Sequence, residues 1–186
     1  MNPTLYHIGF GLDDLGQTPP TLALLSGDPN RAAMIARDLL QDAKTLSENR
    51  GLNSYLARLP NGRTVISATS GMGGPSLSIV VNELFQVGIR TIIRIGTTGS
   101  IQAAVKPGDV VITSAALCRQ GAADDIAPVE YPAAADPFVT VALANAAREL
   151  GVSHAVGYTA SVDTFFEGQE RSASSANKHL LRSLRG

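Results

Sequence analysis

The stretch T-L-A-L-L-S-G-D-P-N-R, residues 21–31, sets the architecture of this chain. Its first part, Thr21–Leu25, is a short apolar run that is typical of a buried strand. The second part consists of small and turn-forming residues. Asp28 can cap a helix and Pro29 fits a first helical turn, so a helix is predicted over residues 30–40. The stretch therefore predicts a strand that passes through a polar turn into a helix.

The same alternation of strand and helix continues along the chain. The turn Pro60-Asn61-Gly62 joins two strand-like runs and predicts a β-hairpin. The pattern indicates an α/β fold, a single domain with a mixed central β-sheet flanked by helices, over residues 1–171, with a tail over residues 172–186. Further strands are predicted over residues 53–59, 64–69, 91–95, 110–115 and 155–162, and further helices over residues 76–87 and 138–150.

Composition narrows the function classes. The chain has 186 residues, 44% of them hydrophobic, and a formal net charge of −1. This balance gives no attraction to nucleic acid or to an anionic membrane, and no apolar run is long enough for a spanning helix. Cys118 is the single cysteine, so no internal disulfide is possible. With no signal pattern at the N-terminus, these features predict a cytoplasmic protein.

Three glycine-rich turns follow predicted strands, at residues 26–31, 70–75 and 96–99. Turns at the carboxyl ends of sheet strands are where open α/β folds bind ligands. Glycine allows the backbone to approach a ligand, and the N–H groups at a helix start favour anions. None of the turns matches the P-loop or the dinucleotide fingerprint, and each alone is also explained by a tight strand-to-helix connection.

Two arginines accompany these turns. Arg31 lies just past the first turn, and Arg94 stands in an otherwise apolar run before the third. A charge in a buried strand is costly unless it is paired, so Arg94 predicts an oxyanion site, with the hydroxyl of Thr97 as a further donor. The alternatives are a structural ion pair with Glu83 and an exposed strand end.

Taken together, these motifs resemble the nucleoside phosphorylase family. A fourth motif, at residues 163–171, looks like the base-recognition loop of its uridine phosphorylase branch. The resemblance extends from about Tyr6 to Arg171, and four motifs in one order are far more specific than any single one. The motifs are G-D-P-N-R at residues 27–31, S-G-M-G-G-P-S at 70–76, R-I-G-T-T-G at 94–99 and D-T-F-F-E-G-Q-E-R at 163–171.

The resemblance implies a role for each matching residue. His7 and Arg50 would reach the site of a neighbouring subunit, at the ribose 5′-hydroxyl and the phosphate respectively. The phosphate would be bound by Gly27, Arg31, Arg94 and Thr97. Met72 and Thr97 would border the ribose, Phe165 would pack against the nucleoside, and Gln169 with Arg171 would read the uracil edge.

The implied reaction is reversible phosphorolysis, in which phosphate attacks C1′ of a nucleoside as the bond to the base breaks. The transition state resembles an oxocarbenium ion, so the protein must position phosphate and stabilise the leaving base. The catalytic residues implied are Arg94, Thr97 and Arg171. A glutamine amide offers both a donor and an acceptor to uracil, whereas arginine offers donors only. No cofactor or metal is expected, since inorganic phosphate is a co-substrate.

The sequence also departs from the family. Family members continue into a Glu-Met-Glu motif that holds the ribose hydroxyls, and these residues contain none. The chain is therefore expected to be truncated and to have little or no activity. Gly51 stands where the family has a glutamate at an intersubunit cation site, which argues against bound K⁺. Met72 replaces a commoner isoleucine.

Three alternatives remain at this point. The chain could be a purine nucleoside phosphorylase or a water-using nucleosidase of the same fold. It could also be an inactive fragment that binds phosphate or a base, or that only supports oligomers. In the leading interpretation the partners are small molecules, uridine and phosphate, and a second copy of the chain in a dimer or hexamer, with no nucleic acid and no membrane.

Overall fold

The computed structural model describes residues 3–166, 168, 169 and 171. The chain forms two compact units, which divide after Thr98. The predicted tail at residues 172–186 lies outside the described residues, and the predicted domain limits stay a prediction. Among the described residues, no helix is both long and apolar enough to cross a membrane.

The first unit is built on a five-stranded mixed sheet in the order β2-β3-β4-β1-β5. β1 lies in parallel register with both β4 and β5, so that Leu24 pairs with Ser67 on one side and with Ile93 on the other. β3 is antiparallel to β2 and β4. The strands are β1 (Leu22–Ser26), β2 (Gln41–Ser47), β3 (Ser54–Arg58), β4 (Thr64–Thr69) and β5 (Thr91–Arg94).

Two helices connect the parallel strands of this sheet. Helix α1 (Pro29–Met34) begins as predicted, because the Asp28 side chain accepts a hydrogen bond from the backbone N–H of Asn30. Helix α2 (Gly73–Gln86) buries Val80 and Leu84 against the sheet and is followed by Gly88 at φ +101°, a left-handed conformation that glycine adopts readily. The core of the unit contains Ile8, Phe10, Leu15, Ala23, Leu25, Leu52, Ile66, Ala68, Val80, Leu84, Val87 and Ile89.

The second unit contains a two-stranded parallel sheet. β6 (Val110–Arg119) pairs with β7 (His154–Val162), and α3 (Gly121–Ile126) and α4 (Pro137–Glu149) lie between them in sequence. Asp136 caps α4 by accepting hydrogen bonds from the N–H groups of Phe138 and Val139, both at 2.9 Å. A crossover connection that contains helices is the usual way to join parallel strands.

The α/β class, the mixed central sheet and the hairpin between β3 and β4 are confirmed. Some element limits are wrong. The helix predicted over residues 30–40 loses α geometry after Met34 and continues as a π-helical turn, Ile35–Leu39. Strand β2 and helix α3 were not predicted, because both are mostly polar or exposed and show no clear apolar period.

Candidate functional site

The three glycine-rich turns emerge side by side in the first unit. They follow β1, β4 and β5, which run parallel with β1 in the centre, so their carboxyl ends share one sheet edge. The backbone N–H of Ser70 donates to the carbonyl of Ser26 at 2.7 Å and fixes the first turn to the second. The N–H of Ile95 donates to the carbonyl of Leu25 at 2.8 Å and holds the start of the third turn against the end of β1.

Gly27 is the residue at which the turns converge. A Cβ placed on Gly27 would lie 3.3 Å from the carbonyl oxygen of Gly71 and 3.4 Å from a guanidinium nitrogen of Arg94. These separations are tight for a side chain, so a Cβ at residue 27 would require its neighbours to shift by a few tenths of an ångström. The Arg94 guanidinium also folds back over its own turn, because a Cβ on Gly96 would lie 2.7 Å from it. The three turns therefore meet at Gly27.

The electrostatics of this edge come from two guanidinium groups. Arg94 is exposed at the last position of β5, and Arg31 is half-buried in the first turn of α1. In the described part of the chain neither guanidinium has a hydrogen bond or an ion pair. Arg94 thus lies at an exposed strand end, one of the alternatives considered from the sequence, because β5 leaves its carboxyl end open to solvent. Two unpaired cations beside open backbone N–H groups can bind an oxyanion.

Two further predicted residues lie on the second and third turns. Met72 is 92% exposed and precedes α2, whose first N–H groups receive no side-chain cap. Gly71 and Gly73, on either side of Met72, both have positive φ, at +69° and +82°. Thr97 is exposed in the turn after β5. Both side chains are thus accessible to a ligand at this sheet edge.

His7 and Arg50, predicted to serve a neighbouring site, lie in one cluster of the first unit. The Arg50 guanidinium donates to the Tyr6 hydroxyl at 2.8 Å and its Cζ lies 4.8 Å from the Tyr6 ring centroid. The Tyr6 and His7 rings meet edge to face at 4.9 Å. The Asn49 amide donates to the carbonyls of Tyr6 and His7, both at 2.9 Å. Tyr6 thus links the two predicted residues.

Glu83 of α2 completes this cluster from the buried side. Its carboxylate accepts hydrogen bonds from Nδ1 of His7 at 2.6 Å and from the backbone N–H of Ile8 at 2.7 Å. Burial acts to raise the pKa of Glu83, but the hydrogen bonds from Ile8 and His7 outweigh it, so the pKa lies below its usual range. Glu83 therefore pairs with His7, which excludes the ion pair with Arg94 that was considered from the sequence.

The predicted base-recognition residues form a separate group in the second unit, after β7. The Arg171 guanidinium stacks on the Phe165 ring, with its Cζ 3.9 Å from the ring centroid. Its Nε and Nη2 donate to Oε1 of Gln169 at 3.1 and 3.0 Å. The backbone N–H of Arg171 donates to the carbonyl of Phe166 at 2.9 Å. The loop brings Phe165, Gln169 and Arg171 into mutual contact.

Sequence reasoning missed the roles of Tyr6, Asn49 and Glu83. A signal for Glu83 was present, because it lies on the same helical face as Val80, Leu84 and Val87, all of which are buried. A carboxylate on an apolar face requires hydrogen-bond partners. The pattern could not show that those partners come from residues 7 and 8, far away in sequence. Tyr6 and Asn49 gave no comparable signal.

Comparison with protein families places these motifs in a known group. The family model described as the phosphorylase superfamily matches residues 21–185 of the chain. The chain belongs to the phosphorylase superfamily. The three turns and the loop at residues 163–171, which is predicted to recognise the base, all lie within the matched residues. The resemblance to nucleoside phosphorylases is confirmed.

Curated relatives refine the position within the superfamily. The uridine phosphorylase of Escherichia coli (strain K12) is 46% identical over 167 residues, 90% of this chain and 64% of the relative. The uridine phosphorylase of Thermococcus kodakarensis is 38% identical over 89% of this chain and 58% of the relative. A DeoD-type purine nucleoside phosphorylase of Caldanaerobacter subterraneus is 37% identical, over 89% and 70%. The chain thus spans about 64% of the length of the first of these relatives.

Proposed function

We propose that this phosphorylase superfamily member catalyses the reversible phosphorolysis of uridine to uracil and ribose 1-phosphate. The observation that carries the proposal is a pair of guanidiniums, Arg31 and Arg94, that have no partner among the described residues and lie at an edge where three glycine-rich turns meet. Such an edge suits a small tetrahedral oxyanion. The relatives named uridine phosphorylase, at up to 47% identity, favour phosphate as that anion.

Phosphate is assigned to the turn cluster of the first unit, which consists of the three glycine-rich turns at residues 26–31, 70–75 and 96–99. Arg94 and Arg31 supply charge-assisted hydrogen bonds, which are about twice as strong as neutral ones. Gly27 lacks a side chain, so the phosphate can approach the backbone of the first turn. Thr97 adds a hydroxyl donor from the third turn. Arg50 reaches the phosphate from a neighbouring copy.

Phosphate is also the nucleophile of the proposed reaction. One oxygen of hydrogen phosphate forms a bond to C1′ while the bond from C1′ to N1 of uracil breaks, and the electron pair of that bond moves into the base. The departing uracil anion then takes up the proton that hydrogen phosphate loses. Positive charge builds up on the sugar and negative charge on the base in the transition state. Arg94 and Thr97 hold the nucleophile in line, and Arg171 stabilises the base as it departs. No cofactor takes part in this scheme.

The base is assigned to the loop of the second unit. Phe165 provides an apolar ring, exposed over 55% of its surface, on which a nucleoside can pack. Gln169 offers an amide N–H group, and its Oε1 can accept from the base where the base replaces one of the two bonds from Arg171. This combination matches the alternating acceptors and donor of the uracil edge. A purine presents a different pattern, so the pair favours a pyrimidine over the purine alternative.

The ribose and the oligomer are linked in this proposal. Met72 and Thr97 border the sugar, and His7 meets the 5′-hydroxyl from a neighbouring copy. His7 and Arg50 share one exposed cluster around Tyr6, so a single contact between copies can deliver both. The protein is therefore proposed to act as a homo-oligomer, a dimer or a hexamer made of three dimers. Light scattering that shows only monomer at micromolar concentration would remove His7 and Arg50 from the site.

A cytoplasmic location completes the proposal. The substrates, phosphate and a nucleoside, are small metabolites, and the chain has one cysteine, Cys118, which suits a reducing compartment. Fractionation of cells that express a tagged protein tests this point. Recovery in a membrane or secreted fraction contradicts it.

The activity is tested with purified protein, uridine and phosphate, by following uracil and ribose 1-phosphate. However slow the turnover is, we expect it to require phosphate and to prefer uridine to inosine. Turnover without phosphate would indicate a nucleosidase, and a preference for inosine a purine enzyme. If no turnover occurs, calorimetric titration with phosphate and with uracil distinguishes a binding protein from a chain without either site.

A further inference from the structure

Glu83 is the one buried carboxylate among the described residues that the proposed reaction does not use. The residue is 8% exposed, and it projects from α2 beside the apolar core. It accepts the backbone N–H groups of His7, at 3.1 Å, and of Ile8, at 2.7 Å, together with Nδ1 of His7 at 2.6 Å. All these donors belong to one short segment of the chain.

These contacts determine where the imidazole proton of His7 lies. An ionised carboxylate can only accept hydrogen bonds, so a contact of 2.6 Å requires a proton on Nδ1. In the neutral ring Nε2 then carries the lone pair. Nε2 has no hydrogen-bond partner among the described residues, and the His7 side chain is 34% exposed. Nε2 is therefore available to a group outside this unit.

We propose that Glu83 is a positioning residue, which holds the His7 ring with its proton on Nδ1 and so presents Nε2 as an acceptor for the 5′-hydroxyl of the nucleoside. The inference rests on the proposed function. It assigns a task to a residue that does not touch the substrate, in the way that carboxylates orient histidines at other sites. The low pKa of the Glu83 carboxyl is consistent with this role.

The backbone around His7 is held independently of Glu83. The Asn49 amide donates to the carbonyls of Tyr6 and His7 from the other side of the segment. Ile8 is fully buried in the core. A variant that changes only the charge of residue 83 should therefore leave the segment in place and act on the imidazole ring alone.

Glu83→Gln is the sharpest such variant. A glutamine has one acceptor oxygen, and the buried N–H of Ile8 requires it. The amide NH₂ then faces Nδ1 of His7, which must accept instead of donate. The proton moves to Nε2, so the substitution inverts the tautomer without changing the shape of the side chain.

Ring ¹⁵N shifts measured on the unliganded protein test this step without any assay of activity. We expect His7 to carry its proton on Nδ1 in the wild type and on Nε2 in Glu83→Gln, with the His7 signal identified by its loss in His7→Asn. His154, whose Nδ1 contacts the carbonyl of Val152 at 2.9 Å, is the internal control and should not change. A bare Nδ1 at His7 in the wild type would overturn the proposal.

The second test compares uridine with 5′-deoxyuridine, which lacks the 5′-hydroxyl. In the wild type we expect kcat/KM to favour uridine by up to about tenfold, the contribution of one hydrogen bond. Glu83→Ala leaves the ring unoriented, so this preference should fall to near 1, as it should in His7→Ala. General structural damage would lower kcat/KM equally for both substrates. The preference for uridine would then stay unchanged in Glu83→Ala, and this result would overturn the inference.

The two levels of the proposal fail in different ways. If the wild type turns over neither nucleoside, the proposed function is overturned, and the role at the ribose falls with it. If the wild type prefers uridine and Glu83→Ala retains that preference, only the role of Glu83 is wrong. Should Glu83→Ala fail to fold, Glu83→Gln carries the test, because an unchanged His7 tautomer in that variant contradicts the proposal.

Discussion

The turn cluster of the first unit and the Phe165–Arg171 loop of the second unit are assembled in opposite ways. The cluster joins residues that lie far apart in sequence, Gly27, Gly71 and Arg94, through the pairing of three parallel strands. The loop joins Phe165, Gln169 and Arg171 through contacts within a few residues. One geometry depends on the whole sheet and the other on a local turn.

The difference also concerns how the arginines are satisfied. Arg31 and Arg94 have no protein partner in the described ranges, whereas Arg171 already contacts Gln169 and Phe165. An anion at the cluster gains new hydrogen bonds, while a base at the loop must share or replace existing ones. Removing an arginine of the cluster should therefore weaken ligand binding more than removing Gln169 from the loop does.

The largest effect is expected for Arg94→Ala. Hydrogen bonds to charged groups contribute about 1.5–3 kcal/mol, so phosphate affinity should fall by roughly 10- to 150-fold. Calorimetric titration with phosphate measures the change. Arg63→Ala is the matched control, because this substitution also removes one positive charge. Arg63 precedes the amino end of β4, at the opposite end of that strand from the turn cluster. Equal losses in the two variants would show a general charge effect and no specific site.

An intermediate effect is expected for Gln169→Ala in the loop. The variant removes one of the side chains proposed to hydrogen-bond the base, and it removes the acceptor of the Arg171 bonds at 3.0 and 3.1 Å. One neutral hydrogen bond contributes about 0.5–1.5 kcal/mol, so kcat/KM for uridine should fall by about 2- to 10-fold. Phosphate affinity should stay unchanged. Gln86→Ala, at the exposed end of α2, is the control and should match the wild type.

A smaller effect is expected for Gly27→Ala. The new methyl group would lie 3.3 Å from the Gly71 carbonyl oxygen and 3.4 Å from Arg94, so Arg94 must shift by a few tenths of an ångström. We expect phosphate to bind about 2- to 3-fold more weakly, a loss below one hydrogen bond. Gly157→Ala is the control, because nothing lies within 4 Å of a Cβ there. A Gly27→Ala variant with wild-type phosphate affinity would mean that Arg94 is not the main contact.

The smallest effect concerns acid stability of the first unit. Because hydrogen bonds lower the folded-state pKa of Glu83, its contribution to the free energy of unfolding is complete above the ordinary glutamate pKa, about 4.3. The contribution is lost as the pH falls through the lower folded-state value. The melting temperature of the wild type should therefore exceed that of Glu83→Gln at pH 7, and the gap should close in acid. A gap that widens in acid contradicts the lowered pKa.

Much of the fold follows from local chemistry in the sequence. Asp28 caps α1, Gly88 follows α2 with a positive φ, and Pro60-Asn61-Gly62 joins β3 and β4. Each of these signals depends on a few neighbouring residues, so the sequence alone is sufficient to predict the helix or turn that it forms. Strand β2 has exposed polar residues along most of its length, and it exists because β3 offers an edge to pair with.

The candidate site likewise has features that the sequence predicts and features that it does not. The motifs at residues 27–31, 94–99 and 163–171 identified the family from sequence alone. The role of residues 163–171 at the base stays a prediction. The sequence also placed a carboxylate, Glu83, on an apolar helical face. It assigned that carboxylate to Arg94 as one alternative, because nothing local distinguishes one cationic partner from another.

By itself the sequence determined the strand-to-helix turns, their glycines and the residues that accompany them, because caps, turns and apolar runs depend on neighbours in the chain. Only the tertiary structure decided that Gly27 lies between Gly71 and Arg94, that Arg94 is exposed and that Glu83 pairs with His7. These contacts depend on strand order and on helix packing. The same local pattern is compatible with several orders of parallel strands in a sheet. The order that buries the apolar residues best determines which distant side chains come into contact.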